Sequence, residues 1–403
     1  MKKYVLLPVG ILLSVLGIAL VASDEWVYID RFLNQPENAG EWPDSFYTPT
    51  YDVQREPTDF FPPIPPNLSP ETERALEDVS AWAGMRNTEA LVVVHQGRVL
   101  LEQYWNGIDE NTPYSGRGMT KSLIGILYGF AVGNGDVSLD EPVSTYVPEW
   151  RNDARSGILV RHLLENTSGL ENPPFGPSPL NKQTRLAWGP NIAATAVSFQ
   201  LADEPGTIFN ISNANSIVLA LVLERATGVP PHEYFDQRLW QPLGATFSSF
   251  YAEHAGGRAH MECCFRATPR DWARLGYMLA HDGAFQGQQI LPAGWVKEMT
   301  AAGQHYPPYG LHIWTGNNGA GIREVYEGTG IGHFQSEPFL AKDMFFMEGG
   351  SNRVMWVSPA LDLVILRLGL TTDKWDHSFI PNTLIRGMGM GMGLSLSQEN
   401  EDL

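Results

Sequence analysis

The segment Gly118-Met119-Thr120-Lys121 holds the first side chain in this chain with an obvious chemical use. On a helix, positions i and i+3 share a face, so a lysine at 121 stands ready to take a proton from a group at 118. A serine there would complete a nucleophile–base pair, and the positive end of the helix would favour the negative charge formed. Residue 118 is glycine. Glycine has no nucleophilic atom, so an acyl-enzyme at that position is impossible. Three serines are the alternatives. Ser122 lies one turn further along the face of Gly118 and is expected in the helical core. Ser115 precedes the helix with no lysine at the working spacing, and Ser212 has the place of a helix cap. Each reads as structural, which leaves a water held by Lys121 as a route to slow hydrolysis.

A second stretch, "HAGGRAHMECC", gathers His254, His260, Glu262, Cys263 and Cys264. The ligand types suit zinc, but the spacing matches no standard site, and adjacent cysteines rarely hold one ion tetrahedrally. The expectation is that no metal binds there. Cys263 and Cys264 are the only cysteines, so no disulfide framework staples distant parts of the chain. They are expected as two buried small residues rather than as a vicinal disulfide.

The elements that must position these groups follow from pattern. Met119, Leu123, Ile126, Leu127 and Phe130 share one face, predicting a helix over 118–131 that "GNG" at 133–135 terminates. A second helix is predicted from Ser212-Asn213 through "SIVLALVLERATG", apolar nearly all round and therefore buried. Thr268-Pro269 and Ser69-Pro70 read as two further helix starts, each with a hydroxyl cap and proline in the first turn. "ALVVVHQGRVLLEQYW" predicts a hairpin turning at Gln96-Gly97, and "NRVMWVSPALDLVILRLG" another turning at Ser358-Pro359-Ala360. In "ENTSGL", Gly169 is expected at positive φ. The economical arrangement is an α/β (α+β) body: one antiparallel sheet built from both chain ends, with a helical subdomain inserted between them.

The 403 residues, 43% of them hydrophobic, suffice for a large globular body. A net charge of −18 with no basic stripe opposes binding to nucleic acid, whose phosphates would be repelled. Lys2 and Lys3 precede an apolar run over residues 4–22, close to bilayer-spanning length. Residues 1–23 are therefore expected to be a membrane anchor or a cleaved signal, exporting the rest to the periplasm and tethering it to a bacterial inner membrane. Residues 24–68 read as an extended Pro- and aromatic-rich arm lying on the domain, 69–385 as the main domain, and 386–403, with "GMGMGMG", as a disordered tail.

Several stretches taken together, "GMTKSLIGILYGFAVGNGDVSLDEPVSTYVPEW", "VRHLLENTSGLEN", "PGTIFNISNANSIVLALVLERATG", "HEYFDQRLWQPLGA", "CCFRATPRDWARLGYML" and "NRVMWVSPALDLVILRLG", resemble the serine β-lactamase superfamily. The resemblance, over 69–385, is to its class C-like esterases and 6-aminohexanoate-dimer hydrolases. It implies the β-lactamase/transpeptidase-like fold and ester or amide hydrolysis through a serine acyl-enzyme, with no metal or organic cofactor. It also implies three catalytic stations, and this chain departs at each. Gly118-Met119-Thr120-Lys121 keeps the lysine of Ser-x-x-Lys, the general base, and loses the serine. Ile211-Ser212-Asn213 keeps the asparagine of Tyr-x-Asn and loses the tyrosine. Met347-Glu348-Gly349-Gly350 stands where a basic residue or Trp precedes glycine, with Glu348 nearest that group. Isoleucine cannot relay a proton, and a carboxylate there repels developing negative charge.

Two accounts of Lys121 stay open: an ion pair with Glu348 across the cleft, or hydrogen bonds to Asn213 and backbone carbonyls. Three functions stay open as well. One is an inactive or impaired relative whose cleft binds a small ester, amide, peptide or cell-wall fragment. Another is an active hydrolase whose serine has been substituted, and the last is a membrane-tethered interaction protein that uses the aromatic arm.

Overall fold

The computed structural model describes residues 24–35, 43, 46–56, 61–62, 67–316 and 319–390. Its centre is a six-stranded antiparallel sheet of β2 (Thr88–His95), β3 (Arg98–Tyr104), β7 (Trp314–Thr315), β10 (Phe345–Gly349), β11 (Arg353–Ser358) and β12 (Leu363–Gly369), in the order β3-β2-β12-β11-β10-β7. The chain ends meet where β2 pairs with β12. Both expected hairpins are present, and Gln96 and Gly97 take the positive φ that a two-residue turn between twisted strands requires.

Alternation along the central strands divides the core. On β2, Ala90, Val92 and Val94 belong to one apolar cluster and Leu91 and Val93 to the other; on β12, Val364 and Leu366 oppose Leu363 and Ile365 in the same way. Strands buried on both faces read as continuous apolar runs because neither face meets water. One face is covered by α2 (Pro70–Gly84) and α6 (Phe379–Gly387), which pack on each other. Against the other lies α5 (Pro269–Ala280), with the helical region beyond it. Arg367 of β12, fully buried, locks the junction of the two chain ends. It donates to the carbonyls of Arg86, Asn87, Ser351, Asn352 and Leu370 and to the hydroxyl of Thr88.

Between the sheet's two halves runs the inserted helical region, with α3 (Thr120–Asn134) and α4 (Asn213–Thr227) side by side in the core. The caps fall where the sequence puts them. Ser69, Ser212 and Thr268 each accept a backbone N–H of the first turn, and Gly135 closes α3 in the left-handed conformation. Gly169 takes its positive φ. A smaller sheet of β1 (Thr50–Gln54), β4 (Tyr114–Ser115), β5 (Phe247–Tyr251) and β6 (Arg266–Ala267) has the order β1-β5-β6-β4. A hairpin of β8 (Gly321–Glu324) and β9 (Gly332–Gln335) stands apart from both sheets.

Three expectations need correcting. The arm contains a helix, α1 (Asp24–Leu33), and a strand, β1, that pairs with β5. Acidic residues in its first turn and Arg31 in its last favour the helix. Arg31 then docks it, donating to the carbonyls of Trp188, Glu253, Thr48 and Ala252. At the C-terminus, α6 runs through Gly387 and Met388 and Met390 pack against the core, so the expected tail cannot begin at 386. Cys263 and Cys264 are joined in a vicinal disulfide, with Cys264 at positive φ. The apolar run 4–22, and with it the anchor or signal, lies outside the described residues, as does the tail from 391. Among the described residues no helix is long and apolar enough to cross a membrane.

Candidate functional site

The three stations converge on one cavity of about 200 Å³, lined by Gly118, Lys121, Ile211, Tyr309, His333 and Glu348 among others. A larger recess of about 480 Å³, between Tyr51, His232, Glu253 and Arg258, contains none of the three.

Gly118 sits in a single 3₁₀ turn, Arg117–Met119, that leads directly into α3. The turn is stitched to the segment that follows "ECC". The amide of Cys264 donates to the carbonyl of Arg117 at 3.2 Å, and the amide of Phe265 donates to the hydroxyl of Thr120 at 3.1 Å. On its other side the turn meets β10 backbone to backbone. A Cβ built on Gly118 would lie 3.2 Å from the carbonyl oxygen of Glu348 and 3.3 Å from the Cα of Gly349. A side chain at 118 would therefore sit in tight contact with the strand, which would have to give by a few tenths of an ångström.

Lys121, on the first turn of α3, is held by two acceptors: its Nζ donates to Asn213 Oδ1 at 2.7 Å and to the carbonyl of Glu262 at 2.7 Å. Burial pushes its ammonium down to about 8, offset in part by the charge of Glu262. Asn213 arrives as the first residue of α4, capped by Ser212, while Ile211 fills the adjoining wall, its amide donating to the carbonyl of Val325. Of the two accounts of Lys121, hydrogen bonding to Asn213 and a backbone carbonyl is the observed one.

Glu348 has another partner. Its Oε2 accepts from Arg323 at 2.6 Å, its Oε1 lies 3.0 Å from Nε2 of His377 and 3.5 Å from Nδ1 of His333, and its side chain is 4% exposed. The expected Lys121–Glu348 pair is replaced because the guanidinium is already there, stacked over Trp314 at 3.9 Å and Phe346 at 4.8 Å. Burial alone would raise the Glu348 carboxyl; Arg323, His333 and His377 together hold it down to about 2.

Two of the alternative serines are occupied structurally: Ser115 is 5% exposed and its Oγ accepts from the amide of Arg117, and Ser212 caps α4. Ser122, 4% exposed, lines the cavity below Gly118. In the "HAGGRAHMECC" stretch, His260 pairs with Glu262 at 2.6 Å and the two cysteines are bonded to each other.

In "PPYGLHIW" the sequence offers Tyr309 as a cleft residue but favours packing; Tyr309, 3% exposed, does line the cavity, and burial keeps its phenol protonated, making it a donor on the wall where Ile211 offers none. Sequence reasoning missed three residues here: Arg323, His333 and His377. Arg323 and His333 face each other across the β8–β9 hairpin, signalled only by glycines in "GIREVYEGTGIGHF".

Comparison with known proteins agrees with this architecture. Residues 74–376 match the family model described as Beta-lactamase. The 6-aminohexanoate-dimer hydrolase of Paenarthrobacter ureafaciens is 25% identical over 244 residues, 58% of this chain and 60% of that protein. The chain thus matches less than two thirds of that relative's length. Among solved structures, a Bacillus anthracis protein provisionally named as a 6-aminohexanoate-dimer hydrolase superposes with a TM-score of 0.66 at 20% identity, covering 89% of this chain and 93% of its own. A family VIII carboxylesterase superposes at 0.59 and 14% identity, covering 83% of this chain and 100% of its own. At these identities the structural likeness speaks for the fold alone.

Proposed function

Because the chain belongs to the Beta-lactamase family, we propose that it is a member that has given up serine acyl transfer and keeps its cleft to bind a small ester-, amide- or peptide-like ligand. The observation that carries this reading is the seating of Gly118. Position 118 carries no nucleophile, and a Cβ added there would be in tight contact with β10, 3.2 Å from the carbonyl oxygen of Glu348. The lysine, with no proton to accept, is satisfied by Asn213 and Glu262. Ile211 and Glu348 support the same reading, since the first cannot relay a proton and the second is a carboxylate paired with Arg323. With residues 4–22 as an export segment, the ligand would be met beyond the membrane.

One observation favours a second reading, an active esterase or amidase whose serine has been substituted. The Lys121–Asn213 contact at 2.7 Å is the arrangement an intact site would need. Hydrolysis of p-nitrophenyl acetate and butyrate and of a chromogenic cephalosporin separates the two, using the chain as it stands, Gly118→Ser, and Gly118→Ser with Ile211→Tyr. The expected outcome is no turnover by the first two. Turnover appearing with Gly118→Ser alone would establish the second reading.

A further inference from the structure

Beside the cleft, three side chains from three separate parts of the chain converge: His333 on β9, Glu348 on β10 and His377 in the segment before α6. Each offers one ligand atom, and the three atoms lie within 4.8 Å of one another. The groups are two imidazoles and one carboxylate, a set that suits divalent d-block cations. In a tetrahedral zinc site with metal–ligand bonds near 2.0–2.1 Å, neighbouring ligand atoms stand about 3.3 Å apart. Here Glu348 Oε1 is 3.0 Å from His377 Nε2 and 3.5 Å from His333 Nδ1.

A second observation points to a ligand. The His377 side chain is 1% exposed, and neither of its ring nitrogens has a hydrogen-bond partner; Glu348 Oε1 lacks one too. Nε2 and Oε1 are thus close without being aligned donor to acceptor. Buried polar atoms left in this state cost free energy, and a shared cation satisfies both at once. Arg323 takes Oε2 and leaves Oε1 facing the imidazoles, fixing the carboxylate as an outer-shell partner does. Trp356, Trp375 and Phe346 wall the His377 ring with apolar surface. His333, 28% exposed, completes the set on the side that lines the cavity.

We propose that His333, Glu348 and His377 form a binding site for a divalent cation of the zinc class, with its open coordination position toward the cleft that contains Gly118 and Lys121. The guanidinium of Arg323 balances the Glu348 carboxylate, so the cation's own charge is uncompensated. The open position therefore favours an anionic oxygen, either hydroxide or the carboxylate of a cleft ligand. This departs from the family resemblance, which implies no metal, and it stands whether or not the chain hydrolyses esters.

The test uses the full chain, stripped with chelator and titrated with zinc chloride, and in parallel with cobalt(II) chloride read by its visible absorption. One cation per chain is expected, together with a rise in Tm on zinc addition. His333→Ala, at the solvent-accessible edge of the set, is expected to fold and to weaken zinc binding by at least about tenfold. Glu348→Gln and His377→Ala are expected to do the same; cation binding is read with no ester or β-lactam present, which keeps this test separate from that of the hydrolase readings. Failure of the parent chain to bind zinc or cobalt stoichiometrically would overturn the proposal. So would binding at parental affinity in both His333→Ala and Glu348→Gln, which would place the ion elsewhere on this acidic surface.

Discussion

Lys121 is the residue on which the chemistry turns, and its position was legible in the sequence because helical spacing alone puts it one turn from residue 118. Its partner was not. A buried ammonium needs acceptors, but whether a carboxylate or carbonyls supply them depends on what other cations compete for the carboxylate. Arg323 wins Glu348, and no local pattern around residue 348 announces an arginine 25 positions earlier in the chain. Burial lowers the proton affinity of this ammonium to about 8 from an ordinary 10.5, against the opposing charge of Glu262. The folded state thus releases this proton before the unfolded chain does, and stability rises with pH between the two values. Relative to Lys121→Met, the parent is expected to gain about 2.5 kcal/mol between pH 7 and pH 10, read as the difference in urea midpoints at each pH. A difference that stays flat across this window would mean that the ammonium is solvated as in water.

At the scale of elements, caps, turns and apolar periodicity were sufficient to locate α2 to α5 and both sheet hairpins, since each is specified by residues adjacent in sequence. The arm shows where that stops. Its prolines and aromatics predict an extended segment, whereas α1 is held by Arg31 reaching carbonyls near residues 48, 188 and 252, contacts that no window of sequence contains. The vicinal disulfide was equally undecided in the sequence, where adjacent cysteines also read as two free thiols, and composition does not signal the positive φ of Cys264. The packing of the Gly118 turn against β10 is likewise a property of two elements together. Gly349 abuts the turn most closely, since a Cβ there would collide with the carbonyl oxygen of Gly116, while one on Gly118 would lie 3.2 Å from that of Glu348. Introducing Gly118→Ser is accordingly expected to destabilise the fold by about 1–3 kcal/mol through crowding of β10, measured by urea unfolding. An unchanged or raised stability would indicate that a serine's space is already present.

For the whole molecule, the sheet closed by β2 and β12 and anchored by Arg367 brings residues 118, 211 and 348 to one cavity, and it is the same body that the Beta-lactamase family uses. Membership of the Beta-lactamase family is therefore written in the long-range architecture, while the glycine at 118, the isoleucine at 211 and the His333–Glu348–His377 cluster are written in a few residues around one cavity. Fold and chemistry are separable in this way because packing tolerates substitution in a cleft that chemistry does not. The central claim is that no serine of this chain is acylated. Its most direct measurement is the intact mass of the unmodified protein after incubation with excess fluorophosphonate and, separately, with a penicillin. The account predicts an unchanged mass in both. A stoichiometric adduct that maps to Ser115, Ser122 or Ser212 would contradict it.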